Sequence, residues 1–244
     1  MGKSLIQQKR GKGSPTYTTP SHRFPGVAKI PPAGNGMVID FIDSKVHTAA
    51  LSVIRHDNGE LYLTIAPEQL RVGQTLTFGA DAPVAIGNAL PLTQIPEGTV
   101  IHNIEAVPGD GGSFARAGGA SARIFAKYGK QVIVQFASKK RKTLHPLCQA
   151  QIGVASGGGR TEKPLMRAGN AYWKNKAKNR RWPIIGGTSQ NAVSHPFGNK
   201  RSLRKSKARP APKNAPPGRN VGMIHPRRTG RKRGGNTVVQ KQEK

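Results

Sequence analysis

The sequence is poor in cysteine and in aromatic residues, and it has no long apolar run. Its one cysteine, Cys148, excludes an internal disulfide and is typical of a reducing compartment. No stretch approaches the roughly 18–20 apolar residues of a membrane-spanning helix, and no signal peptide is recognisable, so we expect a cytoplasmic protein without a membrane partner. The hydrophobic fraction of 35% is below the roughly 45–50% of globular proteins, so only part of the chain can bury a core.

Acidic residues are scarce towards both ends of the chain. None occurs between Lys163 and Gln242, where 21 residues are Lys or Arg, and none occurs in residues 1–35, which carry six basic residues. Nine of the 11 acidic residues lie in residues 36–115. The net charge of +29 is therefore concentrated at the ends, where self-repulsion requires an anionic partner. Nucleic acid is the prime candidate, because the basic residues lack the amphipathic helical spacing of a membrane-surface segment.

The central part of the chain contains two series of short runs rich in β-branched or aromatic residues, each typical of a small β-barrel. The first series is Met37–Ile42, Ala49–Arg55, Glu60–Ala66 and Thr75–Phe78, and the second is Val100–Val107, Ala122–Lys127, Gln131–Ala137, Arg141–Leu144 and Cys148–Val154. Asn58-Gly59 predicts a type I′ hairpin turn, which needs φ > 0 at both positions. The fold class is therefore predicted to be all-β.

Both ends are predicted to be extended basic tails. Glycines and prolines spread through residues 1–35 deny that segment regular structure. In residues 163–244 we expect one short helix around Lys163–Asn170 or a little beyond. The rest of that segment is expected to be extended, and disordered in isolation.

The glycine-rich segment Gly109–Gly119 lacks the Gly-Lys-Ser/Thr ending of a nucleotide-hydrolase phosphate loop. Two interpretations stay open for it. Because glycine has no Cβ, the loop could approach a phosphate backbone closely beside Arg116. Alternatively, it is a flexible connection within a barrel.

The sequence provides no evidence for an enzyme or a metal site. His145 and Cys148 have the spacing of half a zinc site, but no second pair completes four ligands, so a buried structural cysteine is favoured. The central carboxylates show no pairing for acid–base catalysis, and His195 has no visible orienting partner. No cofactor is expected, with RNA-associated magnesium at an interface left as an open alternative.

Aromatic residues are interleaved with cations at Tyr172, Trp173 and Trp182. In RNA-binding proteins such rings stack on unpaired bases while the neighbouring cations bind phosphates. The alternative is that these rings anchor the tail onto the second barrel, and both interpretations can hold together.

Several strings in this order resemble the family of the universal large-subunit ribosomal protein two, particularly its archaeal and eukaryotic branch. The strings are Gly11–Arg23, Pro108–Gly118, Ala126–Lys130, Arg141-Lys142, Cys148–Gly153, Asn191–Gly198, Asn214–Arg219 and Arg227–Arg231. The resemblance implies an OB-fold at 36–88 and an SH3-like barrel at 89–162. It also implies a basic extended tail at 1–35, and a short helix with a basic rRNA-binding tail at 163–244.

The resemblance implies a structural constituent of the large ribosomal subunit that binds its rRNA and contacts neighbouring ribosomal proteins and the small subunit. It further implies support of subunit association, tRNA binding and the peptidyl-transferase region. The residues expected to contact RNA are Arg116, Lys139, Lys140, Arg141, Arg160, Trp173, Lys174, Lys178, Arg180, Arg181, Trp182, His195, Arg201, Arg219, Arg228 and Arg231.

The family signature around His195 differs here at three places. Relatives usually have Met, an acidic residue and a glycine triplet where this chain has Gln190, Ser194 and Gly198–Lys200. The family histidine is implicated in peptidyl transfer, so His195 is a weak candidate for a role near that centre. Its orienting hydrogen bond must come from RNA or from another group. Many relatives also have a basic residue where this chain has Leu61.

Two other classes share some of these features. A free-standing RNA chaperone or a chromatin-like protein would carry the same charge without a fixed path through one RNA. A ribosome-associated enzyme acting through His195 is the third class.

Overall fold

The computed structural model of the 244-residue chain describes residues 3, 6–15, 17 and 24–199. Residues 24–180 belong to one compact unit, and residues 3–17 and 181–199 belong to a second. The predicted contacts Arg201, Arg219, Arg228 and Arg231 lie outside the described residues, as do the strings Asn214–Arg219 and Arg227–Arg231 and part of Gly11–Arg23.

Ten strands form one continuous sheet, which confirms the all-β class. They are β1 (Gly34–Ile42), β2 (Leu51–His56), β3 (Leu61–Ile65), β4 (Thr75–Phe78), β5 (Ala89–Pro91), β6 (Val100–His102), β7 (Ala122–Tyr128), β8 (Gln131–Phe136), β9 (Arg141–Leu144) and β10 (Gln149–Ile152). The strand order is β3-β2-β1-β4-β5-β10-β6-β7-β8-β9, and only β4 and β5 pair in parallel. The assignment of OB-fold and SH3-like barrels to 36–88 and 89–162 stays a prediction.

Within the described part of the chain, most buried apolar residues belong to three clusters, and strand alternation explains their composition. In β7, Ala122 and Ile124 are buried while Arg123 and Phe125 are exposed, because successive side chains point to opposite faces. The largest cluster joins residues of β5 to β10. The other two are built mainly from β1–β5 and the segments that flank these strands.

Strand β5 is not predicted by the sequence pattern. It has three residues and ends at Pro91, which has no N–H to donate to a sheet ladder. Strand β6 ends at His102 rather than at the predicted Val107. The backbone leaves the extended region at Asn103, whose φ is 46°, and Ile104 then forms an isolated bridge with Phe114.

The hairpin between β2 and β3 is confirmed, but its predicted type I′ turn is wrong. Only Gly59, with φ of 83°, has a positive φ in this turn. The N–H of Gly59 donates to the carbonyl of His56, and the N–H of His56 donates to the carbonyl of Glu60. These bonds define a three-residue loop with glycine in the left-handed position, which is the next commonest hairpin connection.

The N-terminal segment is more structured than predicted. Helix α1 (Ile6–Gly11) forms where the chain has neither glycine nor proline before its last residue. Ala28 and Ile30 are buried, and the Lys29 N–H donates to the Leu63 carbonyl at 2.8 Å. Residues 24–33 therefore pack as part of the body.

Helix α2 (Ala168–Ala177) begins later than the predicted start at Lys163. Pro164 lies within the predicted first turn, and the residue before a proline is biased against the helical region. Residues 181–199 are not simply extended, since they contain a 3-10 helix, Gly187–Ser189, and a series of hydrogen-bonded turns. Within the described residues, no helix is both long and apolar enough to cross a membrane.

Candidate nucleic-acid interface

A groove of about 640 Å³ lies on the unit formed by residues 24–180 and brings together residues from six parts of the sequence. Five of the predicted RNA contacts line it: Arg116, Arg160, Lys174, Lys178 and Arg180. No acidic residue is among the lining residues that the structure describes. The groove therefore concentrates positive charge in a concave site, which focuses the field on an anionic ligand.

The C-terminal end of α2 supplies two of these cations. Lys174 lies in the last turn of α2, where a cation is favoured by the partial negative charge of the helix end. Lys178 is the C-cap residue, and its backbone N–H donates to the Asn175 carbonyl at 3.2 Å, while the N–H of Asn179 donates to the Lys176 carbonyl at 3.1 Å. The helix end thus fixes the backbone from which both lysines reach the groove.

Lys178 is affected by three neighbouring cations. Desolvation lowers the pKa of its ammonium group, and the charges of Arg180, Arg160 and Lys174 lower it further. Like charges held this close raise the free energy of the unbound protein. A bound anion would relieve this repulsion, so the cluster is arranged for a ligand rather than for internal ion pairing.

The groove lining also contains apolar and aromatic residues. Phe24 and His47 stack with their ring centroids 5.1 Å apart and their planes inclined by 23°. The Ser44 hydroxyl accepts the backbone N–H of His47 at 3.2 Å and lies 2.8 Å from its Nδ1. Burial, followed by the charges of Arg116 and Lys178, lowers the pKa of the imidazole, so His47 is neutral at pH 7.

Arg116 is held by the protein itself. Its Nη1 donates to the Gly112 carbonyl at 2.9 Å, and its Nη2 donates to the Ala28 carbonyl. Desolvation lowers its pKa, while the charge of Asp110 acts in the opposite direction. Arg116 therefore ties the glycine-rich loop to the N-terminal segment and places its charge at the groove.

The glycine-rich loop is packed rather than free. The Glu105 carboxylate accepts the backbone N–H groups of Gly109, Gly111 and Gln149 at 2.8–3.2 Å. A Cβ on Gly118 would lie 2.5 Å from the carbonyl oxygen of Thr48, so the chain approaches its own backbone there. The interpretation of this segment as a flexible connection is therefore wrong.

Asp110 stabilises the same loop from within. Its carboxylate accepts three backbone N–H groups, those of Ala106, Val107 and Gly112, and the hydroxyl of Ser113. Desolvation alone would raise the pKa of Asp110, but these four hydrogen bonds outweigh it and lower the pKa. The carboxylate is therefore ionised at neutral pH.

Three of the predicted RNA contacts lie outside the groove lining, at the turn between β8 and β9. Lys139 adopts φ of 63° at the tip, and Lys139, Lys140 and Arg141 are all exposed. The guanidinium carbon of Arg141 lies 3.6 Å from the centroid of the Phe125 ring, which is a cation–π contact. The hairpin presents a second cationic surface on the same unit.

The aromatic residues of α2 are on the surface. Tyr172 and Trp173 are exposed, with ring centroids 5.4 Å apart, and no residue of α2 is buried. The Lys176 Nζ lies 4.9 Å from the Trp173 ring centroid. These two rings are therefore available to a ligand.

In the second unit, His195 is oriented by backbone groups. Its Nδ1 accepts the Phe197 N–H at 3.0 Å, so the neutral ring carries its proton on Nε2. Gly187 lies against the imidazole so closely that a Cβ there would clash with the ring. The predicted contacts Arg181 and Trp182 belong to this unit too, and both are half-buried.

Metal binding has no support in the described part of the chain, where no group of three or more His, Cys, Asp or Glu side chains could hold an ion. Cys148 is buried as predicted, and burial raises the pKa of its thiol. The Nδ1 of His145 accepts the N–H of Leu147 at 3.2 Å.

Comparison with known proteins decides the family. Residues 85–216 match the family described as Ribosomal Proteins L2, C-terminal domain. The large ribosomal subunit protein uL2 of Nanoarchaeum equitans is 47% identical over 236 residues, which cover 95% of this chain and 99% of that protein. The chain belongs to the uL2 family. The uL2 proteins of Methanocella arvoryzae and Saccharolobus islandicus are 46% and 42% identical, over 94% and 96% of this chain and 99% and 100% of their own lengths.

Membership of the uL2 family confirms the predicted resemblance, including its archaeal side. It also confirms the expectation of a ribosomal protein that acts in translation and is not an enzyme. The family has no cofactor, and the predicted cytoplasmic, ribosomal location is that of its members.

Sequence reasoning missed the residues that build the groove and its loop. They include Phe24, His47, Glu105 and Asn175. His47 and Phe24 are far from the basic tail in sequence, so no local pattern connects them with Lys178. Glu105 is one of the central carboxylates to which the sequence assigns no role, whereas in the structure it is buried and accepts three backbone N–H groups.

Proposed function

We propose that the chain is a structural rRNA-binding protein of the large ribosomal subunit and that the groove is its main ordered RNA contact. The observation that supports this most strongly is the convergence of Arg116, Arg160, Lys174, Lys178 and Arg180 on one groove without an acidic lining residue. Phosphates are the abundant anions of a ribosome, and cations of this kind position a protein on a nucleic-acid backbone.

The exposed aromatic rings and the hairpin extend this surface. Tyr172 and Trp173 offer stacking faces beside Lys176, as single-stranded RNA sites commonly do. Lys139, Lys140 and Arg141 would bind phosphates at the turn between β8 and β9. We assign the barrels to recognition of RNA shape and the basic ends to neutralisation of phosphates between RNA helices.

The same proposal includes roles in translation beyond rRNA binding. In this view the chain supports subunit association, tRNA binding and the peptidyl-transferase region, and it contacts neighbouring ribosomal proteins and the small subunit. Magnesium ions at this interface would be held by RNA phosphates. Peptide-bond formation belongs to the RNA.

The test is retention of the chain on large subunits. The wild-type chain should co-sediment with large subunits in a sucrose gradient and stay bound through high-salt washes. A variant with Arg160→Ala, Lys174→Ala and Lys178→Ala should be lost in those washes. Release of the wild-type chain under the same conditions would contradict the proposal and support a free-standing RNA chaperone or a chromatin-like protein.

The role of His195 is tested separately. We expect His195→Ala to leave assembly and peptide-bond formation in isolated large subunits intact, because the His195 ring is oriented by the Phe197 N–H and not by a carboxylate. Loss of peptide-bond formation in subunits that assemble normally would assign His195 a direct role.

A further inference from the structure

The groove is lined by two chemically different sets of residues, and charge alone explains only one of them. Its cations come from the glycine-rich loop, Arg160 and the end of α2. Its apolar lining includes Phe24, Val27, Val46 and Ile65. A site that binds only phosphates has no need of this apolar lining, because phosphate oxygens gain nothing from contact with aliphatic carbon.

We propose that the groove holds one unpaired nucleotide of RNA, with its base against the apolar lining residues and its flanking phosphates against the cations. This inference rests on the proposed function, since it names the RNA element that the same groove recognises. A volume of about 640 Å³ lies within the roughly 300–1,000 Å³ typical of small-ligand sites, so a base and sugar can enter.

The aromatic pair is held in place before any ligand binds. The Phe24 ring is half-buried and stacks on His47, whose ring and backbone N–H both contact the buried Ser44. An immobilised ring loses little conformational entropy when a base stacks on it. Phe24 is therefore a ready stacking platform for an unpaired base.

The charges near this platform favour a nucleotide over a neutral ring. Lys178 and Arg116 are close enough to His47 to lower its pKa, so cations lie beside the aromatic pair. A base on Phe24 would thus bring its own phosphates to these two side chains. Unpaired bases that stack on aromatic residues while cations bind their backbone are the usual mode of single-stranded RNA recognition.

Fully paired RNA cannot use the apolar lining residues, because its bases are stacked within the helix. Comparing the binding of RNA that has an unpaired nucleotide with the binding of fully paired RNA therefore distinguishes nucleotide binding from phosphate binding alone. A suitable probe is a short RNA duplex with one bulged fluorescent purine analogue, compared with the same duplex fully paired. The full chain is used for both, so binding by the basic ends is common to the two measurements.

The wild-type chain should bind the bulged duplex about tenfold more tightly than the paired one and quench the analogue. Phe24→Ala and the more conservative Phe24→Leu should both abolish this preference. Tyr128→Ala, which removes an exposed ring outside the groove, should retain it. Lys178→Ala should weaken the binding of both duplexes.

A wild-type chain that binds both duplexes equally would overturn the nucleotide proposal and leave the proposed function standing, and this result does not depend on how any variant folds. A preference that survives both Phe24 substitutions would overturn it too. A wild-type chain that binds neither duplex would contradict the proposed function itself.

Discussion

At the scale of single residues, the most informative side chain outside the groove is a buried histidine. His102 ends β6, is fully buried, and has its Nδ1 3.1 Å from the carbonyl oxygen of Gly153. Burial lowers the pKa of His102 to about 4, although backbone hydrogen bonds partly oppose this. The folded chain therefore holds His102 neutral and excludes a proton that the unfolded chain accepts.

This difference predicts the direction of a pH effect on stability. An unfolded histidine titrates near pH 6.5, so the free energy of unfolding should fall as the pH drops from about 6.5 to about 4. The contribution of His102 is on the order of 3 kcal/mol, because each pKa unit corresponds to about 1.4 kcal/mol. Urea unfolding across this pH range measures it.

Two variants isolate the His102 contribution, because the pKa of His47 is lowered too and adds an effect of the same sign. His102→Asn should flatten the pH dependence, while the same substitution at the exposed His145 should leave it unchanged. An unchanged slope in His102→Asn would assign the acid sensitivity to other groups.

At the scale of elements, the glycine-rich loop depends on one carboxylate. Glu105 is 2% exposed and joins the loop to the start of β10 through the N–H groups of Gly109, Gly111 and Gln149. Because the same loop carries Arg116 to the groove, Glu105 supports the candidate site without lining it.

Glu105→Ala should therefore destabilise the chain by at least about 3 kcal/mol, since three backbone N–H groups lose a charged acceptor. Glu105→Gln keeps one acceptor oxygen and should cost less. The exposed Asp81 is a matched control, and Asp81→Ala should change the free energy of unfolding by less than about 0.5 kcal/mol. Equal stabilities of Glu105→Ala and Asp81→Ala would show that the loop does not need this carboxylate.

The strands could be predicted where the alternation was long, as in β7 and β8, because burial on one face leaves a period of two. Strand β5 could not, because a three-residue strand has no period and its main partner, β10, is distant in sequence. The start of α2 was misplaced since its N-cap, Arg167, makes no side-chain capping bond that would mark the boundary. The type of turn at Gly59 could not be predicted either, because it depends on the register between β2 and β3.

At the scale of the whole molecule, the charge pattern favours a nucleic-acid partner but does not predict the shape of the site. Of the groove cations, Lys174, Lys178 and Arg180 belong to the acid-free stretch of the sequence, whereas Arg116 and Arg160 lie before it. The proximity of the groove cations to Phe24 and His47 depends on how residues 24–48 pack against the end of α2. No local sequence pattern encodes that packing.

Removal of residues 163–244 tests whether the β-strands fold without the basic C-terminal segment. The three buried clusters lie entirely before residue 163, and α2 has no buried residue, so the remaining fragment should fold. Amide exchange should show protected strands, whereas the fragment should fail to enter the large subunit. Rapid exchange throughout β1–β10 would contradict this division.

The salt dependence of rRNA binding tests the central claim, that the groove cations bind phosphates. On single-stranded RNA each neutralised phosphate contributes about −0.7 to the slope of log K against log salt. A variant with Arg160→Ala, Lys174→Ala and Lys178→Ala should reduce the magnitude of this slope by about 2. A variant with Arg71→Ala, Lys45→Ala and Lys130→Ala loses the same charge from exposed positions outside the groove and should change the slope much less. Equal changes in the two variants would contradict the claim, because binding would then depend on total charge and not on the groove.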